Sequence, residues 1–331
     1  MDEALADPEL RDWLSTLRKQ QPDTGEPDLA TLRAPRYRPG GPPLWSVPEL
    51  RIGARPVTSA RLYRPGPERL PLVLYAHGSG FVFVDLDSHD RVCRRLALTA
   101  NAAVLSVDYR LAPEHPAPAA VDDLFNVARW AARLPDQVGP VMPNPALAGD
   151  SAGGAIAVLA AARLARASIS SSAVLLICPN TDLTLSQPSG SSKASGWGLE
   201  AQALGWFVQQ WAPDLSPDTL PRHSPLHADL RGLPTTLVAT AEHDPLHDEG
   251  VALVDHLRAM EVDACPLPHP GLVHGFLTLD TVSPAAKNAG DVLLRRLGRL
   301  LPRVEKDGSL RKVHPSPKAT PLVAPIGPQG Q

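Results

Sequence analysis

Only three cysteines occur in the 331 residues, Cys93, Cys178 and Cys265, far apart and each in an apolar stretch. An odd number of scattered thiols does not make a disulfide framework, and a metal centre calls for Cys or His ligands set close together, so neither is expected. The reading that remains is small buried thiols in a reducing cytoplasm. Charge of one sign is also missing. The 32 Lys and Arg against 35 Asp and Glu leave a net charge of -3, which gives nucleic acid no basic surface to bind. No apolar run approaches the length of a bilayer, since "SSAVLLICP" is among the richest. The start carries Asp2, Glu3, Asp7 and Glu9 in place of a basic segment and an apolar stretch, which speaks against a secretory leader. No internal repeat is visible.

Proline, by contrast, is abundant. The 37 prolines gather in "RAPRYRPGGPP", in "QVGPVMPNP" and in the C-terminal tail. After about Val304 apolar periodicity stops, and residues 304–331 are expected to be disordered. Hydrophobic residues at 43% and charged residues at 20% suit a globular fold with a sizeable core.

From about Leu70 to Leu301, short apolar runs alternate with helical patterns. "PLVLYAHG", "AAVLSVDY", "PALAGD", "SSAVLLICP" and "TTLVATAEHD" each read as a buried strand. Between them lie the helix-like "SHDRVCRRLALTA", with Ser88 as its N-cap, "PAAVDDLFNVARWAARL" and "AGGAIAVLAAARLARA". "DEGVALVDHLRAM" and "AAKNAGDVLLRRLGRLL" follow the last of those strands. This order predicts an α/β fold, a mostly parallel doubly wound sheet with helices on both faces. Two excursions interrupt it. Asp7 can cap a helix that starts at Pro8 and carries Leu10, Trp13, Leu14 and Leu17 on one face. Between Thr181 and about Leu226, a Ser- and Gly-rich loop leads to a helix with Leu204, Phe207, Val208 and Trp211 on one face. Core packing accounts for the Leu and Val positions, and the two excursions together are expected to form a helical cap over the strand ends, where parallel sheets bind ligands. The organisation expected is an N-terminal cap segment over 1–50, a core over 51–180 and 227–303, and a cap insertion over 181–226.

Gly149-Asp150-Ser151-Ala152-Gly153 reads as G-x-S-x-G, a sharp strand-to-helix turn with a serine nucleophile at its apex. A bare turn is the alternative, and it would need glycine without needing the hydroxyl. A serine becomes a nucleophile only with a base to take its proton and a third group to orient that base, in the chain order serine, acid, histidine. Asp244 stands at the end of a predicted strand, with Pro245 forcing a turn. Its competitors are Glu242, Asp248 and Glu249, the last two placed to favour the first turn of the next helix. His274, followed by Gly275 in an apolar loop, is preferred to His243, His247 and His269. Upstream, "YAHGSGF" puts a glycine turn after a strand, where the amides of Ser79 and Gly80 would face that of Ala152 and bind an oxyanion. An ordinary strand-to-helix turn is the alternative for "HGSG" alone.

In order, "HGSGFV", "DYRLAPEHPAPAA", "GDSAGG", "DPLHDEG" and "HGF" resemble the hormone-sensitive-lipase family of bacterial esterases and lipases, within the α/β-hydrolase fold, over roughly residues 62–300. The resemblance implies Ser151, Asp244 and His274 as a catalytic triad. Ser79, Gly80 and Ala152 would be the oxyanion hole, with His77 and Gly78 supporting its loop. It also implies a cap built from the N-terminus and from an insertion after the sixth strand. Asp108, Tyr109, Arg110 and Glu114 would serve as structural support, and neither cofactor nor metal would be needed. One departure stands out. The family usually has three glycines after the histidine, and this chain has Gly78-Ser79-Gly80. A Cβ at Ser79 restricts positive φ and crowds the incoming carbonyl, so activity is expected to survive with an altered rate or acyl preference. The function expected is a serine esterase acting on short to medium acyl esters of small molecules, as a monomer or homo-oligomer. An amide, formamide or carbamate hydrolase shares every motif. A non-catalytic relative, as plant gibberellin receptors are, should lack the histidine that His274 supplies.

Overall fold

The computed structural model describes residues 5–20, 27–34, 38–53 and 56–303, so the tail expected to be disordered lies outside it. Eight strands form one sheet: β1 Glu49–Ile52, β2 Thr58–Tyr63, β3 Leu72–Ala76, β4 Ala103–Asp108, β5 Ala146–Asp150, β6 Val174–Ile177, β7 Thr236–His243 and β8 Ala264–Val273. Their order is β1-β2-β4-β3-β5-β6-β7-β8. The pairings β1 with β2 and β2 with β4 are antiparallel, and every other pairing is parallel. The helices are α1 Pro8–Gln20, α2 Leu29–Arg33, α3 Asp90–Ala100, α4 Ala119–Ala131, α5 Ala152–Arg166, α6 Ser189–Ser192, α7 Ala201–Trp211, α8 Leu220–His223, α9 His247–Ala259 and α10 Pro284–Leu300.

All residues of β3, β5 and β6 are buried, as strands covered on both faces must be. Alternate residues feed two cores. Leu72, Leu74, Leu105, Leu147 and Val238 pack with Leu124 of α4, Ile156 of α5 and Leu253 of α9. Val73, Tyr75, Val104, Ala148 and Leu237 pack with Leu96 of α3 and Leu293 and Leu297 of α10. Strands β1, β2 and β8 escape a search for apolar runs. In β8 the burial alternates, and Pro266, Pro268 and Pro270 take every second position, so the N–H groups they lack fall on the side away from β7. That leaves the free edge of the sheet with few donors for a further strand.

Asp7 accepts from the Leu10 N–H at 2.8 Å and also from Ser283 Oγ and the Ala285 N–H at the start of α10, so one carboxylate joins two helix N-termini. Ser88 does not cap α3. Its hydroxyl donates to Asp85 O within a turn, and His89 occupies the cap position without a side-chain capping bond. The two excursions touch, since Arg18 of α1 donates to Gly196 O at 2.8 Å. Leu204, Phe207, Val208 and Trp211 are all buried, and Trp211 stacks on Phe81 with ring centroids 4.4 Å apart.

The tightest backbone approach at a glycine among the described residues lies under α5. A Cβ on Gly153 would stand 2.1 Å from Ala76 O and 2.4 Å from His77 O, and one on Gly149 would stand 2.2 Å from Gly153 O. Only hydrogen fits at either position, so the two glycines of the motif let the helix begin directly on the end of β3.

Candidate active site

Ser151 sits between β5 and α5 at φ 52°, ψ -123°, a conformation that a residue with a Cβ holds only when its surroundings impose it. Its N–H donates to Ile177 O at 2.8 Å, which fixes the turn to the neighbouring strand. The hydroxyl lies 3.1 Å from His274 Nε2, and His274 Nδ1 lies 2.9 Å from Asp244 Oδ2. The Leu246 N–H donates to Asp244 Oδ1 at 2.8 Å, so both oxygens of this buried carboxylate are engaged. Burial opposes a charged imidazole at His274, but the negative charges of Asp244 and Asp150 outweigh it and raise its pKa above the ordinary value. Three residues distant in sequence therefore meet in the hydrogen-bonded order hydroxyl, imidazole, carboxylate.

The competing acids and histidines are occupied elsewhere. Glu242 accepts from the Gly271 N–H at 2.8 Å, His247 Nδ1 binds Ala241 O, and His243 stacks on Trp197 with centroids 4.2 Å apart. His269 packs against Phe276. Asp248 and Glu249 do more than favour the first turn of α9. Asp248 accepts from the Ser189 N–H, and buried Glu249 accepts from Asn180 Nδ2 and the Thr181 N–H. Both tie the 181–226 excursion to the core, because a buried carboxylate such as Glu249, or a half-buried one such as Asp248, seeks donors more strongly than a helix end attracts it.

The glycine turn lies beside the serine. Asp150 Oδ1 accepts from the Gly78 N–H at 2.9 Å and from Tyr75 at 2.7 Å, and His89 Nε2 lies 3.1 Å from Oδ2. Burial alone would raise the Asp150 pKa, yet the His89 imidazole and these donors hold it down to about 2. His77 lies between Tyr109 and His89 in a stack of rings, and burial lowers its pKa to about 4, so its ring is neutral. The Tyr109 hydroxyl donates to His77 O at 2.7 Å. Arg110 pairs with Asp123, and Glu114 pairs with Arg33 of α2. Among the described residues, no acceptor meets the N–H groups of Ser79, Gly80 and Ala152. Phe207 covers the turn, since a Cβ on Gly80 would fall 2.6 Å from its ring.

Ser79 adopts φ 126°. Its hydroxyl donates to Phe83 O at 2.5 Å, so the side chain is tied back into its own loop rather than projecting beside an incoming carbonyl or into solvent. Among the described residues, Cys178, Asp244 and His274 are the one cluster of three metal-ligand types, within 4.8 Å of one another. His274 Nδ1 is hydrogen-bonded to Asp244, so in this arrangement that nitrogen is committed to the carboxylate.

Sequence reasoning missed Asp150, His89 and Tyr75, although Asp150 carried a signal. A carboxylate next to Ser151 in an apolar turn must be supplied with donors, and "YAHG" and "SHD" hold them.

The strand order, with parallel strands crossing over through helices on both faces, is that of an α/β hydrolase. Residues 73–278 match the family described as alpha/beta hydrolase fold, and the chain belongs to it, within the group like hormone-sensitive lipase. It is 40% identical over 273 residues to the carboxylesterase NlhH of Mycobacterium tuberculosis, covering 77% of this chain and 84% of that protein. It is 38% identical to the ethyl acetate hydrolase of Pseudomonas putida, covering 67% of this chain and 72% of the relative. Among solved structures it is similar to an esterase of Pyrobaculum calidifontis, with a TM-score of 0.77 and 36% identity over 88% of this chain and 98% of that one.

The geometry at Ser79 separates two substitutions. Ser79→Ala keeps the strained φ and loses the bond to Phe83, so it should destabilise by about 1 kcal/mol. Ser79→Gly loses the same bond but relieves strain of about 1–3 kcal/mol. Thermal melts should rank the glycine variant above the alanine variant, and the reverse order would show that the loop is unstrained.

Proposed function

We propose that this protein is a serine carboxylesterase that hydrolyses short- to medium-chain acyl esters of small molecules through an acyl-enzyme. The continuous contact from Ser151 Oγ through the His274 imidazole to Asp244, beside three N–H groups that meet no acceptor among the described residues, carries this reading. The names of the two relatives, a carboxylesterase and an ethyl acetate hydrolase, support the choice of esters and of small acyl groups.

His274 Nε2 takes the Ser151 proton as Oγ bonds to the ester carbonyl carbon, and the carbonyl electrons move to its oxygen. That oxygen accepts from the N–H groups of Gly80, Ala152 and Ser79, each such donor being worth about 3 kcal/mol in the transition state. When the intermediate collapses, the carbon–alkoxy bond breaks and His274 gives its proton to the departing alcohol. Water, deprotonated by His274, then attacks the acyl-enzyme, and Ser151 Oγ leaves with the proton as the acid is released. Asp244 holds the tautomer in which Nδ1 carries hydrogen and stabilises the imidazolium formed in each half. The three free thiols, Cys93, Cys178 and Cys265, support a reducing, cytoplasmic compartment, and among the described residues no helix is long and apolar enough to cross a membrane.

Ser151→Ala should keep its fold and lose at least about a thousandfold in kcat. A fluorophosphonate should label the native protein at Ser151 alone, and labelling that persists in the alanine variant would contradict the assignment. The pH profile supplies a separate check. His274 must be neutral to act as base, so raising its pKa moves the acid limb of kcat/KM above the ordinary imidazole value of about 6.5. Asp244→Asn removes the main charge favouring the imidazolium and should move that limb to lower pH as well as reducing the rate. A limb that stays in place would mean that Asp244 does not face the titrating base.

A further inference from the structure

Cys178 follows Ile177, whose carbonyl holds the Ser151 N–H. It has φ 45°, in the left-handed region that residues with a Cβ rarely enter, and its own N–H donates to Ala239 O at 2.7 Å. This turn aims the thiol at the back of the candidate triad. The Asp244 carboxylate and the N–H groups of Ala241 and Gly275 are the polar neighbours of the sulfur. The sulfur, a carboxylate oxygen of Asp244 and a ring nitrogen of His274 lie within 4.8 Å of one another, and Cys178 is 2% exposed. One buried atom therefore stands beside both the acid and the histidine it orients. Burial and the neighbouring Asp244 charge push the thiol pKa far up, so the sulfur keeps its proton and serves as a donor rather than a nucleophile.

We propose that Cys178 is a positioning residue for ester cleavage: its thiol, donating to Asp244 and receiving the Gly275 N–H, sets the spacing between the acid and the histidine loop and so aims the His274 ring at Ser151. The proposal rests on the triad reading above. Without the thiol, Asp244 keeps the Leu246 N–H and His274 as donors, its negative charge is less dispersed, and the His274 loop loses its anchor. The charges that act on His274 are Asp244 and, from the end of β5, Asp150; Glu249 of α9 and Cys178, just after β6, face Asp244 in turn. A less dispersed charge on Asp244 stabilises the imidazolium, and a freer ring spends less time aimed at the serine.

The test uses the full chain with Cys178→Ala and Cys178→Ser, counting competent sites with a fluorophosphonate and recording kcat, KM, the pH profile and the melting temperature. A native protein that neither turns over esters nor takes the label defeats the triad reading. A native protein that does both, with an unchanged Cys178→Ala, defeats only the proposal. The expected result for Cys178→Ala is a kcat lower by about tenfold with KM nearly unchanged, and an acid limb of kcat/KM moved to higher pH. Cys178→Ser, which retains a donor, should recover most of the rate and return the limb towards its native place. Equal losses in both variants with an unmoved limb would reduce Cys178 to a volume filler and overturn the proposal. If the alanine variant does not fold, the infrared S–H stretch decides. A native Cys178 band, identified by its loss in Cys178→Ser, should lie below that of a free thiol and shift in Asp244→Asn, whereas an unshifted band overturns the proposal.

Discussion

Asp150 carries a negative charge in a largely buried position, one residue before the serine, and much of the site is arranged to accommodate it. Removing a carboxylate from water costs several kcal/mol unless donors replace the lost solvation, and each hydrogen bond to the charged group returns about 1.5–3 kcal/mol. The donors come from different parts of the chain: Tyr75 within β3, Gly78 in the glycine turn, and His89 at the start of α3. The Gly78 bond fixes the height of the glycine turn relative to the serine. A shift of that turn would break a buried charged hydrogen bond, so the N–H groups of Ser79 and Gly80 are held beside Ser151 before any substrate arrives. Preorganisation of this kind is what lets such donors act on a transition state without reorganising.

The glycines complete the constraint. With Gly153 against the carbonyls of Ala76 and His77, α5 presents its first N–H at the level of the glycine turn. Phe207 and Trp211 of α7 press on Gly80 and Phe81 from the other side, so the 181–226 excursion forms one wall of the candidate site. Motions of α7 therefore act directly on the loop that carries the proposed oxyanion donors.

Much of this could be read from the residues. The five central strands are continuous apolar runs because helices cover both faces, and those runs are what a search finds. Strands β1, β2 and β8 stayed hidden because they lie towards the edges, where alternation and proline replace apolar continuity. At the site, Ser151 and His274 have neighbours of the right type in sequence, and Asp244 follows a strand. Asp150, Cys178 and Glu249 act through partners about 60 to 75 residues away, and only the sheet order brings β3, β5, β6 and β7 together. Ser79 shows the same limit from another direction. Its departure from the glycine pattern was visible, but the bond that turns its hydroxyl towards Phe83 was not.

The crystal structure of the protein after reaction with an alkyl p-nitrophenyl phosphonate tests the central claim most directly, because the tetrahedral phosphorus resembles the transition state of ester cleavage. The account predicts phosphorus bonded to Ser151 Oγ, the phosphonyl oxygen accepting from the N–H groups of Gly80 and Ala152, and His274 Nε2 next to the oxygen where the alcohol departs. Phosphorus on any other side chain, or a phosphonyl oxygen turned away from the glycine turn into solvent, would contradict it.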